Sequence, residues 1–154
     1  MQLSKNFKLS EFTNNPHGIK IVPTERQKER VVLLCRGILQ PTRDQFGPMI
    51  ITSGLRNEKL RKKLVALGYP ASPTSQHHHG DAADFIFKRN NCETIIEAYF
   101  WIMRSVPFNQ LILYLNKDKD NRAIHVGNGD KKECLVYFQK KFYDISHFLE
   151  ELYY

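Results

Sequence analysis

Long apolar runs are missing from this chain, and with them any segment able to cross a membrane as a helix. The N-terminus, Met1-Gln2-Leu3-Ser4-Lys5, lacks the apolar stretch of a secretion signal. The expectation is a soluble protein made in the cytoplasm, which another agent must deliver if it acts outside a cell. Cysteine is scarce. Cys35, Cys92 and Cys134 are widely spaced, with no CxxC pair, which excludes a disulfide framework and reads as free, mostly buried thiols from a reducing compartment. No repeat, low-complexity segment or Gly/Ser linker divides the 154 residues, so one domain spanning 1–154 is expected, long enough to bury a core. Acidic residues are in deficit: 16 against 23 basic ones leave a formal charge of +7. That surplus attracts polyanions in general or simply solvates the surface. The basic residues form no dense run, helix-turn-helix or finger pattern, which argues against sequence-specific nucleic-acid binding.

What is present reads as an α+β fold. Residues 6–12 carry apolar positions able to dock a short arm. Thr24 caps a helix whose apolar spacing at Val31, Leu34, Cys35, Ile38 and Leu39 runs to about Phe46, with Pro41 expected to kink or break it. Met49–Ser53 reads as a strand, and 57–67 as a basic amphipathic helix closed by Gly68. Ala82–Phe87 reads as a buried strand, followed by a helix over 92–103 capped by Asn91. Three further strands follow at Gln110–Leu115, 122–126 and 135–138, the first two joined as a hairpin through 116–121. Asp144 or Ser146 caps a last short helix. The elements imply a small antiparallel sheet covered by helices on one face.

The densest chemistry lies in Ser75-Gln76-His77-His78-His79-Gly80-Asp81-Ala82-Ala83-Asp84, where three imidazoles and two carboxylates fall within ten residues. Imidazole nitrogen and carboxylate oxygen form the ligand set of a catalytic zinc, which takes three protein ligands and keeps one position for water. Gly80 permits a sharp turn, and small Ala82 allows close strand packing. His79, two residues from His77, is an alternative ligand; the reading preferred here leaves it exposed or lining the cleft. Asp81 reads as a solvated turn carboxylate. An isolated His125, in Ala123-Ile124-His125-Val126, would by itself be a satisfied core imidazole.

Ser75, His77, Gly80, Ala82 and Asp84, as Ser-x-His-x-x-Gly-x-Ala-x-Asp, resemble the zinc signature of the D-Ala-D-Ala carboxypeptidase family. That family includes L-alanyl-D-glutamate endopeptidases and phage endolysins acting on peptidoglycan. Asn6-Phe7-Lys8-Leu9-Ser10-Glu11-Phe12, Leu39-Gln40-Pro41-Thr42-Arg43-Asp44, Ile51-Thr52-Ser53-Gly54-Leu55-Arg56 and Pro107-Phe108-Asn109-Gln110-Leu111-Ile112 resemble successive blocks of its small, phage-rich branch. The resemblance runs from residue 6 to about 127. It implies a Zn2+ ion held by His77, Asp84 and His125, with a peptidoglycan peptide as substrate, met at the cell wall after phage-type release. Arg56 matches the family's cleft arginine, and a guanidinium can grip a substrate carboxylate; without the match it would read as a surface residue. Ser75 either hydrogen-bonds near the site or simply shapes its turn, and Gln110 supports the sheet.

One family element is missing. A glutamate normally takes a proton from the water on the zinc and returns it to the leaving amine. The two positions that supply it are occupied here by Tyr114 and Arg122. A tyrosine of ordinary acidity is a poor base at neutral pH, and an arginine stays protonated. Asp118 and Asp120 are the nearest carboxylates in sequence. The aromatic residue that precedes the family's last histidine is also replaced, by Ala123-Ile124. The resemblance therefore implies a zinc peptidase with an unusual or relocated base, or else a non-hydrolytic relative that keeps zinc for stability or binds a wall or virion partner. The hedgehog signalling domain, similar in fold and zinc site, is a precedent for such a drift.

Overall fold

Thr24 opens the first long helix with both halves of a capping box: its hydroxyl accepts from Gln27 N–H, and the Gln27 side chain accepts from Thr24 N–H. The computed structural model describes residues 1–89, 92–115 and 122–153. Ahead of that helix, α1 (Ser10–Thr13) belongs to an arm that buries Leu3, Phe7 and Phe12 against the body. Then α2 (Glu25–Leu34) runs through a π-helical stretch, Cys35–Leu39, into α3 (Gln40–Phe46). Pro41 does not break this run. It lies in the first turn of α3, where no N–H is needed, and the wide turn before it lets Gln40 N–H reach Cys35 O. Cys35 is fully buried; burial, with Glu11 nearby, pushes its thiol up to about 12, as befits an inert core residue.

Next come β1 (Met49–Ser53), α4 (Glu58–Ala66), β2 (Ala82–Phe87) and α5 (Cys92–Ser105). The chain ends with β3 (Gln110–Leu115), β4 (Arg122–Gly127), β5 (Glu133–Phe138), β6 (Lys141–Asp144) and α6 (Ile145–Tyr153). Asp144 does cap α6, accepting from Ser146 N–H at 2.9 Å. The Asn91 cap and the 116–121 turn lie outside the described residues.

The six strands form one sheet in the order β1-β2-β4-β3-β5-β6. The expectation of a wholly antiparallel sheet is corrected in one place: β3 and β5 are parallel. After β4 the chain passes the start of β3 before pairing on its far side. Asn109 anchors that passage, its N–H donating to Gly127 O (2.7 Å) and its carbonyl accepting from Glu133 N–H (2.9 Å). A sixth strand, β6, is also added where the sequence reading had none.

Alternation along the strands separates two faces. Ala83, Phe85, Leu111, Leu113, Ile124, Val126 and Val136 are buried together with Ile95, Ala98, Tyr99 and Ile102 of α5. Phe148 of α6 joins that core through ring contacts with Phe138 and Tyr143. Helices thus cover one face, as expected, and the other carries the chemistry.

Candidate metal centre

Register across the sheet puts the pieces in a row. Ser53 on β1 pairs with Asp84 on β2, Asp84 with His125 on β4, His125 with Ile112 on β3, and Ile112 with Leu135 on β5. Directly opposed residues project from the same face at close range, so strand pairing alone sets the Asp84 carboxylate beside the His125 imidazole. His77 arrives from a short 3-10 turn, Gln76–His78, lying over that row. Ser75 caps this turn by accepting from His77 N–H (3.3 Å) and lines the cleft wall. Gly80, at φ +81°, then returns the chain into β2. A Cβ at Gly80 would lie 2.8 Å from Gln27 O of α2, so the turn needs both the positive φ and the missing side chain.

Donor atoms of His77, Asp84 and His125 all lie within 4.8 Å of one another, the one group among the described residues with metal-binding geometry. His77 Nδ1 stands 2.7 Å from Gly54 O. A carbonyl can only accept, so Nδ1 carries the hydrogen and the Nε2 lone pair faces Asp84 Oδ1 at 3.4 Å. His125 Nδ1 approaches the same oxygen at 2.7 Å. Burial of His77 pushes its imidazole below the ordinary histidine range, so it is neutral at pH 7. Burial alone would raise the Asp84 carboxyl, but His77 and His125 outweigh it and hold Asp84 well below the ordinary carboxylate range. Neutral imidazole and ionised carboxylate are the states that bind a cation, and an imidazole whose other nitrogen donates to a backbone carbonyl is oriented as metal ligands are. The donor set fits zinc.

Arg56 borders the group. Its Nε and Nη2 donate to Ser53 Oγ at 3.3 and 3.1 Å, its Nη2 stands 3.7 Å from Asp84 Oδ2, and its N–H donates to His77 O (3.2 Å). These residues open into a cleft of about 590 Å³. Along its floor, Tyr114 shares a row with Tyr137 and Phe142, the ring centroids 5.4 and 4.7 Å apart in turn. Gln110 and Glu133 form the row on the opposite side of His125.

A family model described as Peptidase M15 matches residues 5–127. The chain belongs to the peptidase M15 family. This is the zinc-dependent, D-Ala-D-Ala carboxypeptidase-like family that the motif blocks resemble. A search of the curated proteins gave no match.

Within this M15 chain the other sequence-selected residues separate cleanly. His78 turns away into a second pocket beside α2, its carbonyl accepting from Gln27 Nε2 at 2.8 Å, and His79 is exposed. Asp81 is not a solvated turn carboxylate: it pairs with Arg30 of α2. Of the two positions where an M15 glutamate would fall, Tyr114 faces the cleft. Arg122 alternates onto the face of Ile124 and Val126, away from His125. Burial, then the nearby Asp84 charge, push the Tyr114 phenol far above its ordinary range, which leaves it a hydrogen-bond donor and no base. Asp118 and Asp120 lie outside the described residues.

Several contributors escaped the sequence reading. Gly54 orients His77 through its backbone carbonyl, which has no sequence signature. Gln76 lies on Gly127, where a Cβ would meet its side chain, and its Nε2 donates to Asn109 Oδ1 at 3.0 Å. Glu133 and Leu135 line the cleft from β5, beyond the matched residues. A period-2 reading that extended the 135–138 strand back to Glu133 would have placed both on the cleft face.

Proposed function

We propose that this M15 chain is a zinc peptidase-type domain directed at D-amino-acid-containing wall peptides, cleaving D-Ala-D-Ala or L-Ala-D-Glu bonds slowly. Phage-type delivery to the wall accords with the branch its motif blocks resemble. The observation that carries the reading is the meeting of His77, Asp84 and His125 beside Arg56 in one cleft. A zinc ion held there would polarise the scissile carbonyl and make its water acidic enough to ionise near pH 7. Arg56, fixed by Ser53, offers paired donors to a peptide carboxylate or to charge developing on the carbonyl oxygen. Tyr114 lines the same cleft, but its phenol, kept neutral by burial, cannot take up the water's proton and pass it to the leaving amine.

That tyrosine favours a second reading, a binding module that keeps the peptide cleft and has given up turnover. The two part on kinetics. Loss of a general acid–base residue costs a factor of about 10²–10⁴. The zinc-loaded chain should therefore hydrolyse D-Ala-D-Ala and L-Ala-D-Glu peptides slowly, and Tyr114→Glu should raise the rate toward that factor. No hydrolysis by either form, with peptide binding retained, would establish the binding module. Fast turnover by the unaltered chain would mean that another group serves as base.

A further inference from the structure

The cleft holds a carboxylate that the metal group does not use. Asp84 and Glu133 are the carboxylates among its described lining residues, and Asp84 is committed to the two imidazoles. Glu133 is held in place: its Oε1 accepts from Gln110 Nε2 at 2.6 Å. Its Oε2 faces only Lys131 Nζ at 3.8 Å, and Lys131 is 78% exposed. So loose a surface pair stabilises little and yields readily to a better-placed cation.

Position defines what this carboxylate could meet. Glu133 lies two strands across and one row along from His125. At about 4.8 Å per strand and 3.4 Å per residue, that is roughly 12 Å between Cα atoms. The floor between them is apolar, made by Ile112 and Leu135. An apolar floor ending in a fixed carboxylate matches a side chain with an alkyl stem and a cationic tip. An acidic or short polar side chain would leave the floor unfilled and face like charge.

We propose that Glu133 is a specificity-determining residue that receives the cationic tip of a long basic side chain on the peptide bound at the metal centre. It rests on the peptide reading above. It goes beyond that reading because Glu133 and Leu135 belong to a part of the chain outside residues 5–127. Gln110 fixes the carboxylate before the ligand arrives, so little ordering cost accompanies capture.

The test is calorimetric titration of the zinc-loaded full chain with two probe pairs. These are acetyl-Lys-D-Ala-D-Ala against its norleucine counterpart, and L-Ala-D-Glu-Lys against its norleucine counterpart. In the pair that binds, wild type should prefer lysine about two- to fivefold, the scale of a partly exposed charge pair. Glu133→Gln, which can still accept from Gln110, should bind both members equally, and Glu133→Lys should invert the preference. Equal affinities for wild type, or a preference surviving in Glu133→Gln, would overturn the role of Glu133 and leave the peptide reading standing. If neither pair bound wild type, the peptide reading itself would fall, and this proposal with it.

Discussion

Asp84 Oδ1 lies between His77 Nε2 and His125 Nδ1, while Oδ2 faces Arg56, so one carboxylate ties the cluster to the cleft arginine. His77 and Asp84 stood out in sequence through the density of imidazoles and carboxylates, whereas Arg56 and the two glutamate positions were readable only through the family resemblance. His125 was legible only through the upstream motif; alone it would have read as a core imidazole. Gly54 was not legible, since its contribution is a backbone oxygen. Nor was the pairing of Asp81 with Arg30, which depends on how α2 lies against the turn. At this scale Arg56 offers a direct check. Arg56→Ala should weaken binding of a peptide with a free carboxylate by roughly 1.5–3 kcal/mol, the range of a charge-assisted hydrogen bond. Its thermal unfolding should hardly move. Calorimetry giving equal affinities for wild type and variant would remove Arg56 from the site.

Element by element, β1, β2 and β3 were legible to the residue, because each is a short apolar run between turn signals. Their partners were not. Alternation tells which face a residue takes but not which strand lies beside it, so the parallel β3–β5 pair and β6 emerged only from the path around Asn109. Pro41 misled for a related reason: a proline is disruptive only where a helix needs its N–H, and the π stretch removes that need. The turn before β2 is tightly constrained. Gly80→Ala should destabilise the fold by about 1–3 kcal/mol, the cost of a left-handed non-glycine residue, to which the contact with Gln27 O adds. Because Gly80 lies between His77 and Asp84, metal affinity should fall as well. A chemical melt and a zinc titration matching wild type would show that the turn can relax.

At the scale of the whole molecule, the M15 match ends at residue 127, but the folded unit does not. β5, β6 and α6 complete the sheet, and Val136 and Phe148 enter the same core as Leu111 and Tyr99. Their burial is worth about 1.5–3 kcal/mol each, and removing β5 would bare the edge of β3. A chain truncated after Asn128 should therefore lose cooperative unfolding and aggregate; a soluble, cooperatively melting fragment would contradict this. Among the aromatic residues of this C-terminal part, Phe138, Tyr143 and Phe148 pack in or against the core, while Phe142 stays half exposed at the cleft. No helix among the described residues is long and apolar enough to cross a membrane.

The proposed centre would hold one metal through three residues from separate elements, and zinc stoichiometry of purified variants tests it most directly. Wild type should bind about one zinc per chain. His77→Ala, Asp84→Ala and His125→Ala should each abolish tight binding, whereas His78→Ala and His79→Ala should keep it. If His125→Ala still bound zinc tightly while His79→Ala did not, the metal would sit elsewhere and the proposed centre would be wrong.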